Sequence, residues 1–134
     1  RMHGHGSTVH YDTVGTVLSG GTATVETVVS VSSFIPPNAI SYSPNLVAAL
    51  STNASGTAAE NMIVRLTAGG GTNLAFGVYT NGTSMTASNV LEGQMANVGS
   101  QFYYLWSNIY NPANVATRSL TVFMRNYKIP NGGE

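Results

Sequence analysis

A period of two constrains this chain more than any other feature. Short stretches of alternating side chains recur along it, separated by turn residues about every ten positions. The clearest is the last, "RSLTVFMRNYKI" (118–129), with Leu120, Val122 and Met124 on one side and Phe123, Tyr127 and Ile129 on the other. A strand side chain points opposite to its neighbour, so such a run fits a strand and not a helix. No window of ten or more residues carries a helical period. The residues agree: Val, Thr and aromatics favour a pleated, half-buried surface, while Gly and Asn favour turns.

About eight strands are predicted, over 7–19, 23–33, 40–51, 61–68, 74–80, 89–99, 101–110 and 118–129. In 7–19, Gly15 marks an expected bulge, and Pro44 interrupts the third strand, which is then an edge or bulged strand. In 23–33, Val25, Thr27, Val29 and Val31 share a face. In 61–68, Met62, Val64 and Leu66 oppose Ile63 and Arg65. "GGGTN" (69–73) joins 61–68 to 74–80 as a hairpin, and 52–60 and 111–117 read as loops. This spacing suits a sandwich, a jelly roll or a small barrel. With no cysteine, nothing favours an immunoglobulin-type sandwich. The expected fold is all-β: a single-domain, jelly-roll-like antiparallel β-sandwich over 11–134, preceded by an extended N-terminal segment, 1–10.

Composition then limits what such a fold can do. Only 7% of the 134 residues are charged and the net charge is zero, against an average charged fraction of about 25%. A small domain with so few charges is prone to self-association unless its uncharged surface is buried in an oligomer. The two apolar faces of the last strand suggest that a second subunit covers it. A homotrimer is the expected assembly. No basic patch is present to bind nucleic acid, and no apolar run approaches the roughly 20 residues that a membrane-spanning helix needs.

No catalytic residue is assigned and no enzyme activity is expected. The three histidines crowd into the first ten residues, away from any nucleophile elbow. The acids Asp12, Glu26, Glu60, Glu92 and Glu134 lie on separate segments, and none stands out as a glycosidase pair. "TAGGGTN" lacks the lysine and the following helix of a phosphate loop. "NAS" (53–55) and "NGT" (81–83) read as turns.

Two features do point to contacts. In "QFYYLWSNIY" (101–110), alternation assigns Phe102, Tyr104 and Trp106 to the core. Tyr103 and Tyr110 are then the candidate binding residues, each a flat apolar ring with a polar tip. At the other end of the chain, His3 and His5 flank one glycine and would share a face of an extended strand. Three chains on a threefold axis would offer six imidazoles, an octahedral set suited to Fe(II), Ni(II) or Co(II). No cofactor is required for the fold.

These traits resemble the trimeric structural proteins of tailed bacteriophages: Ser/Thr/Asn/Gly-rich, charge-poor, cysteine-free and rich in strands. His3-Gly4-His5, followed by Gly6, is similar to the His-x-His motifs that bind iron on the axis of some fibre and spike tips. "SLTVFMRNYKIPNG" looks like the closing strand of jelly-roll knobs. The resemblance implies a virion protein: a knob at the tip of a tail fibre or needle, contacting a host surface polysaccharide or protein. Its alternative is a capsid decoration protein seated on the major capsid protein, which suits the chain if Met2 is a native start. A carbohydrate-binding or polysaccharide-active domain is a third reading.

Overall fold

The computed structural model describes residues 7–53, 56–71, 74–80, 86–92 and 94–130, with backbone only for 7–14, 80 and 86–92. The expected antiparallel β-sandwich is found. Among the described residues nine strands form two sheets: β1 (Ser7–Gly21), β2 (Thr27–Ser30), β3 (Ser41–Thr52), β4 (Ala58–Arg65), β5 (Leu74–Thr80), β6 (Thr86–Glu92), β7 (Met95–Ala96), β8 (Gln101–Tyr110) and β9 (Val115–Ile129). One sheet has the order β1-β9-β3-β6, with β7 also pairing β3; the other has the order β2-β8-β4-β5.

The pairing is nested. β1 pairs β9, β2 pairs β8, β3 pairs β6 and β4 pairs β5, all antiparallel. The chain therefore behaves as one long hairpin closed at β4–β5 and wrapped so that successive pairs alternate between sheets. Ser7–His10, set apart in the sequence as the end of an extension, belong to β1 and pair with Asn126–Ile129.

The core lies between the sheets, and alternation places it. Leu46, Ala48 and Leu50 of β3 and Leu120, Val122 and Met124 of β9 face Met62 and Val64 of β4, Val78 of β5 and Phe102, Tyr104 and Trp106 of β8. Each fully buried side chain of this size contributes about 1.5–3 kcal/mol relative to exposure. Trp106 also ties the sheets together. Its indole Nε1 donates to the Gly21 carbonyl at 3.1 Å, and its backbone N–H donates to the Ala23 carbonyl at 2.9 Å. The Tyr104 hydroxyl accepts from the Ala23 N–H at 3.2 Å. The segment leaving β1 is thus clipped to β8 before β2 begins. Gly21 has to be a glycine at this clip, because a Cβ there would lie 2.6 Å from the Tyr104 hydroxyl.

Irregularities fall where the sequence signals them. The β1–β9 register shifts on both sides of Gly15, whose missing Cβ leaves room for the Phe34 ring. Pro44 sits within an inner strand. The neighbour on one side is β6 up to Asn45, then β7 from Tyr42, so Pro44 falls in the gap between them, where its missing N–H is not needed. On the other side a register shift at Ser43–Pro44 leaves Arg125 of β9 unopposed.

That bulge corrects one expectation. Tyr127 does not share a face with Phe123. Beyond Arg125 the alternation of β9 reverses, so Tyr127 pairs with Tyr42 and packs on the core, while Phe123 stays outward and half-buried. The final strand is less apolar outside than a strict period of two implies. Three further expectations also shift. The second strand is only Thr27–Ser30, leaving Val25 exposed. The expected loop 52–60 is strand from Ala58, and β9 starts at Val115 after a 3-10 turn at Pro112–Asn114.

Tyr42 makes a separate prediction. It is fully buried, and among the described residues its hydroxyl has no hydrogen-bond partner. Burial pushes its phenol up to about 12. The unfolded phenol ionises near 10. As pH rises from 10 to 12 the unfolded chain therefore releases a proton that the folded chain keeps, and stability falls by on the order of 2 kcal/mol. Tyr42→Phe is expected to be neutral or stabilising by up to about 1 kcal/mol at pH 8, since an unsatisfied hydroxyl is removed. It should also lose less stability than the parent between pH 10 and 12. Urea unfolding at pH 8 and 11.5 checks both.

Candidate functional surface

The outer face of the four-stranded sheet gathers the tyrosines that the sequence singled out. On β8, Phe102, Tyr104 and Trp106 point inward, so Gln101, Tyr103, Leu105 and Ser107 point outward. Strand pairing sets these in rows. Val28 of β2, Tyr103 and Arg65 of β4 form one row; Leu105, Ile63 and Ala75 of β5 form the next; Ser107, Asn61 and Gly77 form the third. A register shift between Ala59 and Glu60 then sets Ala59 opposite Tyr110 on one side and Tyr79 on the other.

Tyr79 and Tyr110 flank the small Ala59 side chain, which lies buried between them. Their ring centroids are 6.1 Å apart and the planes are tilted by 48°. Tyr79 is 52% exposed and Tyr110 36%. The Tyr110 side chain beside it raises the Tyr79 phenol above its usual value, chiefly through a hydrogen bond between them. Tyr103, at the opposite end of the face, is half-buried and accepts a hydrogen bond from the Gln101 amide at 2.9 Å. Tyr103 and Tyr110 thus share one sheet face but not one cluster. Seven positions separate them, about 20 Å along a strand.

Tyr79 is the exposed tyrosine of this face that the sequence reading passed over. Leu74, Phe76 and Val78 alternate inward along β5, which leaves Tyr79 outward; its partner Ala59 had been read as loop.

Charge is nearly absent from this face. Arg65 stands at the Tyr103 end, where its Nη1 contacts a Glu26 carboxylate oxygen at 3.3 Å. Both Glu26 oxygens also accept the Gly69 N–H at 2.9 Å. Glu60 points the other way, into the core. It is 1% exposed and held by Arg118 of β9 through two hydrogen bonds, Nε to Oε1 at 2.5 Å and Nη2 to Oε2 at 2.6 Å. The Glu60 hydrogen bond raises the already high pKa of Arg118. This fork-to-fork pair joins the two sheets. Glu26 and Glu60 are each paired with an arginine, and the two pairs lie at opposite ends of β4.

His3 and His5 lie outside the described residues, as does the extended segment that carries them before Ser7. Among the described residues no cluster of three His, Asp or Glu side chains occurs, and no helix is long and apolar enough to cross a membrane. No protein-family model matches the chain, and no curated protein matches it significantly.

Proposed function

We propose that this chain is a virion structural protein of a tailed bacteriophage: a homotrimeric jelly-roll knob at the tip of a tail fibre or needle. It contacts the host surface with the outer face of its four-stranded sheet. The nested pairing and the strand orders β1-β9-β3-β6 and β2-β8-β4-β5 support the jelly-roll reading. They match a hairpin rolled into two Greek keys, with β7 as a two-residue addition to the eight strands. The low charge supports assembly, since three chains together cover surface that one leaves exposed.

The single observation that carries a contact role is the exposed Tyr79–Tyr110 pair on a sheet face almost free of charge. Exposed aromatic rings with polar tips are costly to leave in water and are concentrated at recognition surfaces. Labelled protein is expected to bind bacterial cells from a panel of strains. Binding to assembled phage capsids, with none to any cell, would replace the knob by the decoration protein.

The N-terminal histidines add an independent proposal. His3 and His5 of three chains would hold Fe(II) or a similar divalent ion on the threefold axis with six nitrogens. Metal analysis of the purified protein is expected to give on the order of one transition-metal ion per trimer. His3→Ala with His5→Ala should remove the metal and lower the temperature at which the trimer dissociates. Unchanged metal content and trimer stability would contradict this assignment.

A further inference from the structure

The tyrosine pair has a chemistry more specific than general adhesion. Three properties combine within two adjacent rows. Tyr79 and Tyr110 offer ring faces whose planes are tilted by 48°. Ala59, between them in the sheet, is small enough for the two rings to lean together over it, and it lies buried beneath them. The next row carries Ser107, Asn61 and Gly77, all neutral. The Asn61 amide leans over Gly77: a Cβ on that glycine would lie 3.5 Å from Asn61 Oδ1. The exposed tyrosine rings thus lie one row from a hydroxyl and an amide on the same sheet face.

Rings with hydroxyl tips beside neutral donors and acceptors suit a molecule that is apolar on its faces and hydroxylated on its edges. A pyranose ring fits that description. Its C–H face packs against an aromatic ring, and its equatorial hydroxyls exchange hydrogen bonds with amide and hydroxyl groups. Charge decides which sugars. An acidic glycan needs a cation, and the cation of this face, Arg65, lies six positions along β4 from Ala59, about 20 Å away. Arg65 is moreover paired with Glu26. A basic peptide finds no carboxylate here, because Glu60 is turned into the core.

We infer that the exposed Tyr79–Tyr110 ring pair is a subsite for a neutral hexose-type residue of a glycan, stacked on the tyrosine rings and hydrogen-bonded through Asn61 and Ser107. This rests on the reading of the outer face as the host-contacting surface and names what that surface selects.

The test uses the full chain against an array of neutral and acidic glycans, in parallel with binding to bacterial cells. Neutral glycans are expected to bind. Tyr79→Ala and Tyr110→Ala are each expected to weaken that binding about tenfold, the effect of one lost aromatic contact. Tyr79→Phe keeps the ring and should retain most of it. Both tyrosines are exposed, so an unfolding midpoint close to the parent's is expected for each variant. Binding restricted to acidic glycans overturns the inference, as does neutral-glycan binding indifferent to both alanine variants. Cell binding that depends on the tyrosines without binding to any glycan overturns the sugar assignment but leaves the contact surface standing. A change in sedimentation without a change in glycan binding reassigns the rings to a contact between copies of the chain. Failure to bind both cells and glycans removes both readings.

Discussion

Arg118→Met is expected to destabilise the protein by about 3 kcal/mol. The variant leaves the Glu60 carboxylate 1% exposed with its arginine gone. Both carboxylate oxygens then lose charge-assisted hydrogen bonds in a region sealed by the two sheets. Losing one partner of a buried pair costs about 3–5 kcal/mol, because the remaining charge stays desolvated. Arg118 is about a quarter exposed, which places the expectation at the lower end. The pair itself is worth far less than its rupture. Glu60→Leu combined with Arg118→Met removes both charges and replaces them with apolar volume, so it should recover most of the loss. Urea unfolding at fixed protein concentration separates these cases. The single variant should lower the midpoint by about 1–3 M, and the double variant by much less. A double variant as unstable as the single one would show that the pair is needed for more than neutralising a buried charge.

Trp106→Ala should be at least as damaging, at about 3–5 kcal/mol. Trp106 is 1% exposed and is among the largest buried side chains. Its removal opens a cavity between the sheets and orphans the Gly21 carbonyl. Trp106→Phe divides the two effects. It restores much of the volume but not the indole N–H, so it should cost about 1–3 kcal/mol for the unsatisfied carbonyl and a smaller packing defect. If Phe proved as costly as Ala, the hydrogen bond to Gly21 would dominate. If Phe were silent, the clip between β1 and β8 would rest on backbone bonds alone.

These two positions also mark how far the sequence could be read. Trp106 was legible, because its phase with Phe102 and Tyr104 in "FYYLW" favours the core. Arg118 and Glu60 were not. Arg118 is in phase with Leu120, Val122 and Met124, and Glu60 with Met62 and Val64, so each sits on an inward face of its own strand. Read singly, a charge at a strand end looks like a solvated terminus. Only the wrapping of β4 against β9 brings opposite charges together, and pairing between distant segments has no local signal. Tyr127 was misplaced for a related reason. One unopposed residue at Arg125 reverses the phase of everything after it, and its signal, Pro44, lies on the partner strand rather than in β9.

The candidate surface was legible in half. Tyr103 and Tyr110 reached the outer face, but the partner that gives Tyr110 its geometry, Tyr79, comes from another segment 31 positions earlier in the chain. The rings can lean together because Ala59, between them, is small, and the row beside them stays open at Gly77. Small residues in a strand look like weak strand formers until the neighbouring strands are known.

Sedimentation equilibrium of the unmodified protein at micromolar concentration tests the central claim of a trimeric knob most directly. A single species with three times the mass of the 14.0 kDa chain is the predicted result. A monomer at that concentration would contradict it.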